Sequence, residues 1–203
     1  MPRTADHTAR RAQIAEALVH VAARDGLHAV SMRSVAAEAG VSLRLVQYYF
    51  HTKTGLLIGA LHHLEQQSHQ RWTERLRGLP DPPPPRAFAE AFLAEALPTD
   101  ESSRAFHLVG TSYSMLARTD PELAAHPFTA GIDRLEDQLA EALARARNHG
   151  DLAPGVDPQL EATRLVMIVN GLGTSILAGH HTTDYAHEVL HDHLDHVFPS
   201  TTS

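Results

Sequence analysis

Apolar residues recur along this chain with the spacing of amphipathic helices rather than of strands. Ile14, Leu18, Val21 and Ala22, for example, follow the i, i+4, i+7, i+8 pattern of one helix face. No segment of useful length alternates apolar and polar positions, and no internal repeat is visible. The pattern therefore predicts an all-α fold.

Residues 31–53 contain the clearest local signal, which is two short helices joined by a tight turn. Ser31 and Ser42 are suitable N-cap residues, because a side-chain oxygen can accept a hydrogen bond from a free backbone N–H of the first turn. Gly40 lies between the two helices and can adopt the left-handed conformation that ends the first of them.

The second of these helices, about residues 43–50, has one apolar face and one face suited to a partner surface. Val46 is central on the apolar side, together with Tyr49 and Phe50. The residues that face away are Arg44, Leu45 and Tyr48. This is the helix-turn-helix arrangement, whose second helix enters the major groove of DNA, although an ordinary αα-hairpin has the same outline.

The stretch around this motif resembles the TetR family of bacterial repressors. The features that carry the resemblance are a preceding helix at residues 9–24, the turn Gly40-Val41-Ser42, the aromatic-rich helix that ends at Phe50, and Thr52-Lys53 followed by Leu56. The specific resemblance covers residues 9–61. It departs from the family at Leu43-Arg44-Leu45, where Lys-Gly-Thr is frequent, and at Gln47, where Tyr is frequent.

The resemblance implies an N-terminal three-helix DNA-binding domain at residues 1–54. It also implies a larger helical domain at residues 55–203 for effector binding and dimerisation. The expected function is that of a ligand-responsive transcriptional regulator, a dimeric repressor that a small-molecule effector releases from operator DNA. The candidate DNA-binding residues are Arg33, Ser42, Leu43, Arg44, Leu45, Gln47, Tyr48, Tyr49 and Lys53.

Charge is distributed unevenly over the 203 residues, although the net charge is −7. Residues 1–54 carry seven basic and four acidic side chains, whereas the remainder carries ten basic and twenty acidic ones. A basic end on an acidic body favours one small DNA-contacting module. Residues 1–7 are expected to form a short flexible arm. Arg3, Arg10 and Arg11 are then phosphate contacts or part of a solvated tail.

The absence of cysteine, of a leader pattern and of a long apolar run leads to expectations about cofactor use and cellular location. The absence of cysteine excludes a disulfide framework and a thiolate metal site. There is no leader pattern at the N-terminus and no run of about 20 apolar residues, so we expect a cytoplasmic protein without a membrane span. No cofactor is expected.

The remaining chain is predicted to be helical between proline-rich or capped breaks. A long helix should follow Lys53 and end near residue 79, where the run from Pro80 to Pro85 cannot be helical. Further helices are predicted at about 86–97, 103–118, 121–150 with a kink at Pro127, 158–177 and 183–198. Asp120 and Asp157 each precede a proline, a pattern typical of helix starts.

Aromatic and polar residues in the larger domain are candidates for an effector site. An apolar cavity with a few polar groups is the usual form of a small-molecule site, although the same residues are typical of an ordinary core. The candidates are Phe88, Phe92, Phe106, Tyr113, Met115, Phe128, Asn170 and Thr174.

The last two helices are the predicted dimer interface, since their apolar faces are broad and TetR-like proteins pair there. The positions expected at the two-fold axis are Leu190, Leu194 and Val197 on the last helix and Leu172, Gly173 and Ile176 on the helix before it.

Two other functions compete with regulation. His187-Glu188-Val189-Leu190-His191 matches the H-E-x-x-H pattern of zinc proteases. It lacks the third histidine of the extended signature, and its helix has a continuous apolar stripe typical of packing. No metal site and no enzymatic activity are therefore expected. A protein-interaction module that uses Pro82–Pro85 is the other alternative.

Overall fold

The computed structural model describes residues 2–125 and 130–199, with side chains from residue 6 onward except at 130 and 132. Within these ranges the chain forms helices and no strand, as predicted. The helices are α1 (Pro2–Asp25), α2 (Met32–Glu38), α3 (Leu43–Phe50), α4 (Lys53–Arg77), α5 (Pro85–Ala96), α6 (Glu101–Ala117), α7 (Pro121–Ala124), α8 (Ala130–His149), α9 (Pro158–Leu177) and α10 (Thr183–Val197).

Several boundaries differ from the sequence prediction. The predicted flexible arm is wrong, because α1 already begins at Pro2. Helix α4 ends at Arg77, two residues before the predicted end. Pro85 belongs to α5 as its first residue, a position that needs no backbone N–H. The predicted kink at Pro127 lies outside the described residues.

The described residues form two compact units. The first contains the residues up to Gln67 and the described part of the segment that begins at Arg104. Its core is contributed by α1–α4, α6 and α7, and its largest fully buried side chains are Ile14, Leu18, Val21, Leu56, Leu61, Leu64 and Leu123. Burial of these residues fixes α1 behind α2 and α3.

The second unit contains Ser68–Ser103 and the described residues after Thr129. Its core combines the end of α4 with α5, α8, α9 and α10, and includes Leu97, Leu139, Leu143, Leu165 and Leu194. Arg86 of α5 donates to Asp195 of α10 over 2.6 Å, and this hydrogen bond raises the pKa of Arg86. By length and composition alone, helix α9 could span a membrane. In this structure it packs within the core of the second unit, as the central helices of globular domains do.

The functional division at residue 54 does not follow these packing units. Helices α4 and α6 contribute residues to both units. A DNA-binding domain of residues 1–54 therefore remains a prediction about function, separate from the packing of the core.

Candidate functional site

The helix-turn-helix motif is fixed by local hydrogen bonds that its small polar residues provide. Ser31 accepts from the backbone N–H of Ser34, and the Ser34 hydroxyl accepts from the backbone N–H of Ser31, which is a reciprocal cap on α2. Gly40 adopts a φ of 64° between the helices. Ser42 then accepts from the backbone N–H of Leu45 at 3.2 Å and caps α3. The predicted start and stop signals of the motif are thus confirmed.

Close packing against α4 holds the end of α3. Phe50 is buried, and a Cβ atom at Gly59 would come within 2.3 Å of its ring. A Cβ atom at Gly55 would similarly meet the carbonyl oxygen of Phe50 at 2.5 Å. Glycine at these two positions lets α4 approach α3 more closely than any other residue would allow.

The outward face of α3 carries the predicted DNA-contacting side chains. Val46 is fully buried and Tyr48 is 62% exposed, which matches the predicted orientation of the helix. Half-buried positions on its flanks are Leu43, Leu45 and Tyr49. The predicted residues that are exposed are Arg33, Ser42, Arg44, Gln47, Tyr48 and Lys53.

The charged side chains of the first unit differ in how far they are already paired. Arg24 on α1 donates to Asp25 and to Glu38, and these hydrogen bonds raise its pKa. Among the described side chains, no acidic partner lies within ion-pair distance of Arg33, Arg44 or Lys53. Each of these cations is therefore available to bind a phosphate. Lys53 stands at the start of α4, beside the Thr52 hydroxyl that accepts from the backbone N–H of Gly55. Free N–H groups and a lysine at a helix start suit a phosphate.

The predicted effector-binding residues fall into separate places. Phe88 and Phe92 are buried in the second unit, whereas Tyr113 and half-buried Phe106 belong to the first. Burial raises the pKa of Tyr113, whose hydroxyl donates to the Leu123 carbonyl at 2.5 Å. Three candidates are exposed in the single chain, namely Met115, Asn170 and Thr174. Phe128 lies outside the described residues.

Trp72 is a member of the aromatic cluster that the effector candidates omitted. Its ring meets Phe88 edge to face, with centroids 5.2 Å apart, and Phe92 is buried in the same core. In the same unit, the Glu95 carboxylate is nearly buried and pairs with Arg71 at 2.9 Å and with Arg75 at 3.2 Å. Trp72 was missed because its position on a long helix marks it only as a core residue.

The predicted two-fold positions are mostly buried within the chain itself. Leu190, Leu194 and Val197 are at most 3% exposed, and Gly173 and Ile176 are also buried. Leu172 is half-buried against the same core. Assigning these side chains to the dimer interface is therefore wrong, because α9 and α10 use them to pack within the second unit.

The H-E-x-x-H stretch lies on α10 without further ligands around it. His191 and Glu188 are exposed and His187 is half-buried. Among the described residues, no group of three or more His, Asp or Glu side chains is arranged to hold a metal ion.

Two family models cover most of the chain. Residues 9–60 match the model of bacterial regulatory proteins of the tetR family, and residues 85–199 match the C-terminal model of BetI-type transcriptional repressors. The transcriptional regulator PksA of Bacillus subtilis is 30% identical over 173 residues, which are 85% of this chain and 80% of PksA. BetI of Paraburkholderia phytofirmans is 25% identical over 98% of this chain and 99% of its own length.

Solved structures agree with these sequence matches. A transcriptional regulator from Rhodococcus sp. Rha1 is 28% identical with a TM-score of 0.77, covering 92% of this chain and 95% of that protein. A regulator from Saccharomonospora viridis, solved in complex with choline, has a TM-score of 0.83 and 24% identity, covering 95% of this chain and 99% of that one. The second likeness concerns the fold alone.

Proposed function

Because the chain belongs to the TetR family of bacterial regulatory proteins, it is a ligand-responsive, DNA-binding transcriptional regulator, and we propose that it is a dimeric repressor released from its operator by a small-molecule effector. The family matches are to regulators, and they give no support to a hydrolase that uses His187, Glu188 and His191. Operator binding would place the protein in the cytoplasm.

The observation that carries this proposal is the exposed face of α3. Arg44, Gln47 and Tyr48 project from a helix whose other side is anchored by Val46 and Phe50. A guanidinium can bind a guanine edge, and a phenol can contact a phosphate or a thymine methyl group. We assign DNA binding to residues 1–54 and sequence selection to this face.

Phosphate contacts would position the motif around this face. Arg33 on α2 and Lys53 at the start of α4 are exposed cations without an acidic partner among the described side chains. Ser42, Leu43, Leu45 and Tyr49 complete the proposed surface at the start and on the flanks of α3. Such contacts fix the register of the protein on DNA but do not select sequence.

The dimer is proposed to form through the last two helices, by side chains other than those the sequence indicated. Leu160 and Met167 on α9 are each 58% exposed, although both are large and apolar. They lie seven residues apart and thus share a face with Gly171, a small residue that a partner helix can approach closely. Tyr185 on α10 is 46% exposed and extends the apolar surface. Asn170 and Thr174 lie on the same exposed face of α9.

A dimer would place two α3 helices about one turn of DNA, roughly 34–36 Å, apart. Effector binding within residues 55–203 would favour a spacing that no longer fits successive major grooves. A coupling free energy of about 1–3 kcal/mol is sufficient for such release.

The proposed effector site is the aromatic cluster of Trp72, Phe88 and Phe92 in the second unit. Aromatic faces attract quaternary ammonium groups, and the solved regulator from Saccharomonospora viridis carries choline. Choline is therefore the first effector to test. Trp72 is the single tryptophan of the chain, so its fluorescence reports on this cluster directly.

The test combines Trp72 fluorescence with DNA binding during a choline titration, with sodium chloride matching the ionic strength. We expect a saturable fluorescence change and a rise of about 5- to 150-fold in the Kd for DNA flanking the protein's own gene. Phe88→Leu should abolish both responses. Phe198→Leu is the matched control, since Phe198 is equally buried in the same unit. A fluorescence change without any loss of DNA affinity would contradict release by effector.

A further inference from the structure

Helix α1 reaches the C-terminal ends of both helices of the motif. The Gln13 side-chain amide donates to the Ala39 carbonyl at 2.9 Å, at the end of α2. Arg11 donates from Nη1 to the Tyr49 carbonyl at 2.9 Å, in the last turn of α3. Carbonyl groups at a helix end have no N–H partner within their own helix, and a cation there also interacts favourably with the helix dipole.

Arg11 makes a second contact with the same helix end. Its guanidinium carbon lies 4.7 Å from the centroid of the Phe50 ring, within the range of a cation–π interaction. Phe50 is itself fixed, because α4 packs on its ring at Gly59. One side chain of α1 thus holds a backbone carbonyl and an anchored ring of α3 together.

His7 continues this contact one helical turn earlier on α1. Its ring lies 5.5 Å from the Tyr49 ring and 6.4 Å from the Tyr48 ring, centroid to centroid. Tyr48 and Tyr49 meet edge to face at 5.3 Å, so the three rings form one cluster. Within the cluster Tyr48 is the exposed member of the DNA-facing surface.

We infer that Arg11 and His7 are positioning residues that set the orientation of the recognition helix and of Tyr48. The inference rests on the proposed DNA-binding role of α3. Arg11 is exposed, but its guanidinium already donates to the Tyr49 carbonyl and lies over the Phe50 ring, two contacts within the chain that need no DNA. Its effect on operator binding is therefore indirect, and the same holds for the His7 ring.

Salt dependence distinguishes a positioning arginine from one that contacts phosphate. Operator affinity is measured by fluorescence anisotropy over a range of salt concentrations for the wild type, Arg11→Met and Arg11→Lys. We expect both variants to lose affinity, on the order of tenfold for Arg11→Met. The slope of log K against log salt should stay at its wild-type value, because no phosphate contact is removed.

Arg11→Lys is the decisive variant, because it keeps the charge but lacks the planar guanidinium that bridges the Tyr49 carbonyl and the Phe50 ring. Wild-type affinity in Arg11→Lys, together with a slope reduced by about 0.9 in Arg11→Met, would overturn the inference in favour of a phosphate contact. Unchanged affinity in both variants would overturn it as well. Circular dichroism confirms that the variants fold. If Arg11→Met does not fold, Arg11→Lys alone tests the inference.

The His7 contact is tested by ring replacement in two backgrounds. His7→Phe keeps a ring and should bind operator like the wild type at pH 6 and pH 8, whereas His7→Ala should bind more weakly. In a Tyr48→Ala background the loss caused by His7→Ala should become smaller, because one of the two rings that His7 contacts is absent. Equal losses in His7→Phe and His7→Ala, or additive effects with Tyr48→Ala, would contradict positioning.

The same titrations separate this inference from its premise. If Arg44→Ala and Tyr48→Ala leave operator affinity unchanged, the assignment of α3 to DNA binding fails. If those two variants lose affinity while the Arg11 and His7 variants do not, α3 keeps its role and only the positioning inference fails.

Discussion

His193 of α10 donates through Nε2 to the Glu161 carboxylate of α9 over 2.6 Å. Glu161 is 2% exposed, and its other oxygen accepts from the exposed Arg164 at 2.9 Å. A buried carboxylate is stable only when its oxygens are occupied, so this contact joins the last two helices in a fixed register.

Removing the imidazole should therefore loosen α10. We expect His193→Ala to lower the free energy of unfolding by about 1–3 kcal/mol, because Glu161 stays buried with one partner fewer. Urea denaturation followed by circular dichroism measures the effect. His191→Ala, an exposed change on the same helix, should stay within about 0.5 kcal/mol of wild type. Equal stability of the two variants would show that the Glu161 contact contributes nothing.

The cap before α6 should give the stability an acid-sensitive component. The Asp100 carboxylate accepts from the backbone N–H of Ser103 at 2.7 Å and from its hydroxyl at 2.9 Å. These bonds, above all that from the backbone N–H, lower the pKa of Asp100. A carboxyl group with a lowered folded-state pKa stabilises the protein fully above its unfolded-state pKa, and the contribution is lost as the pH falls through the folded-state value.

We expect Asp100→Ala to cost about 1 kcal/mol at pH 7. Its difference from wild type should shrink as the pH falls below about 4, the unfolded-state pKa, towards the lowered folded-state pKa of Asp100. Thermal denaturation at several pH values measures this. Asp100→Asn is the control, since asparagine caps without a charge and should lose less at pH 7. A loss for Asp100→Ala that is the same at every pH would contradict the proposed cap.

The proposed dimer face on α9 allows a matched pair of substitutions. Met167→Glu should raise the dimer dissociation constant at least about tenfold, since a carboxylate would be buried without a partner. Met115→Glu makes the same change at a similarly exposed position of α6 and should leave the dimer intact. Analytical ultracentrifugation gives the masses, and circular dichroism confirms folding. A Met167→Glu variant that remains dimeric would place the interface elsewhere.

Lys53 tests the non-specific part of DNA binding. Lys53→Ala should weaken binding to all DNA sequences alike and reduce the salt slope by about 0.9, the value expected for one lost phosphate contact. Anisotropy titrations on two unrelated duplexes at several salt concentrations measure both quantities. A loss confined to one duplex would mean that Lys53 contacts a base instead.

The local structure of the motif was predictable because the information lies within a few residues. Ser31, Ser42 and Gly40 determine caps and a turn through hydrogen bonds and backbone conformations that span at most three or four positions. The outward direction of Tyr48 follows from the helical repeat, once Val46 is taken as buried. Those predictions needed no knowledge of the rest of the chain.

Predictions that depended on what covers an apolar face were less successful. The pattern of Leu190 and Leu194 shows that a face of α10 is buried, but the covering residues belong to the same chain and not to a partner. The exposed face of α9 combines Leu160 and Met167 with polar and small residues, so it gives no clear apolar stripe. Periodicity identifies a buried face but not its partner.

Contacts between residues far apart in the chain also could not be predicted from the sequence. Arg11 and Tyr49 are 38 residues apart, and Glu161 and His193 are 32 apart. Arg11 resembles a phosphate contact when only its charge and its place near the N-terminus are known. The fold assigns it to the end of α3 because its side chain reaches the Tyr49 carbonyl and the Phe50 ring from α1.

The most direct test of the account is an anisotropy titration of wild type and Arg44→Ala with two duplexes of equal length. One duplex is the DNA that flanks the protein's own gene, and the other is its scrambled sequence. We expect the wild type to prefer the flanking DNA, and Arg44→Ala to lose about 1–3 kcal/mol on that duplex with a much smaller loss on the scrambled one. Equal affinity of the wild type for both duplexes, or unchanged binding by Arg44→Ala, would contradict sequence selection by the exposed face of α3.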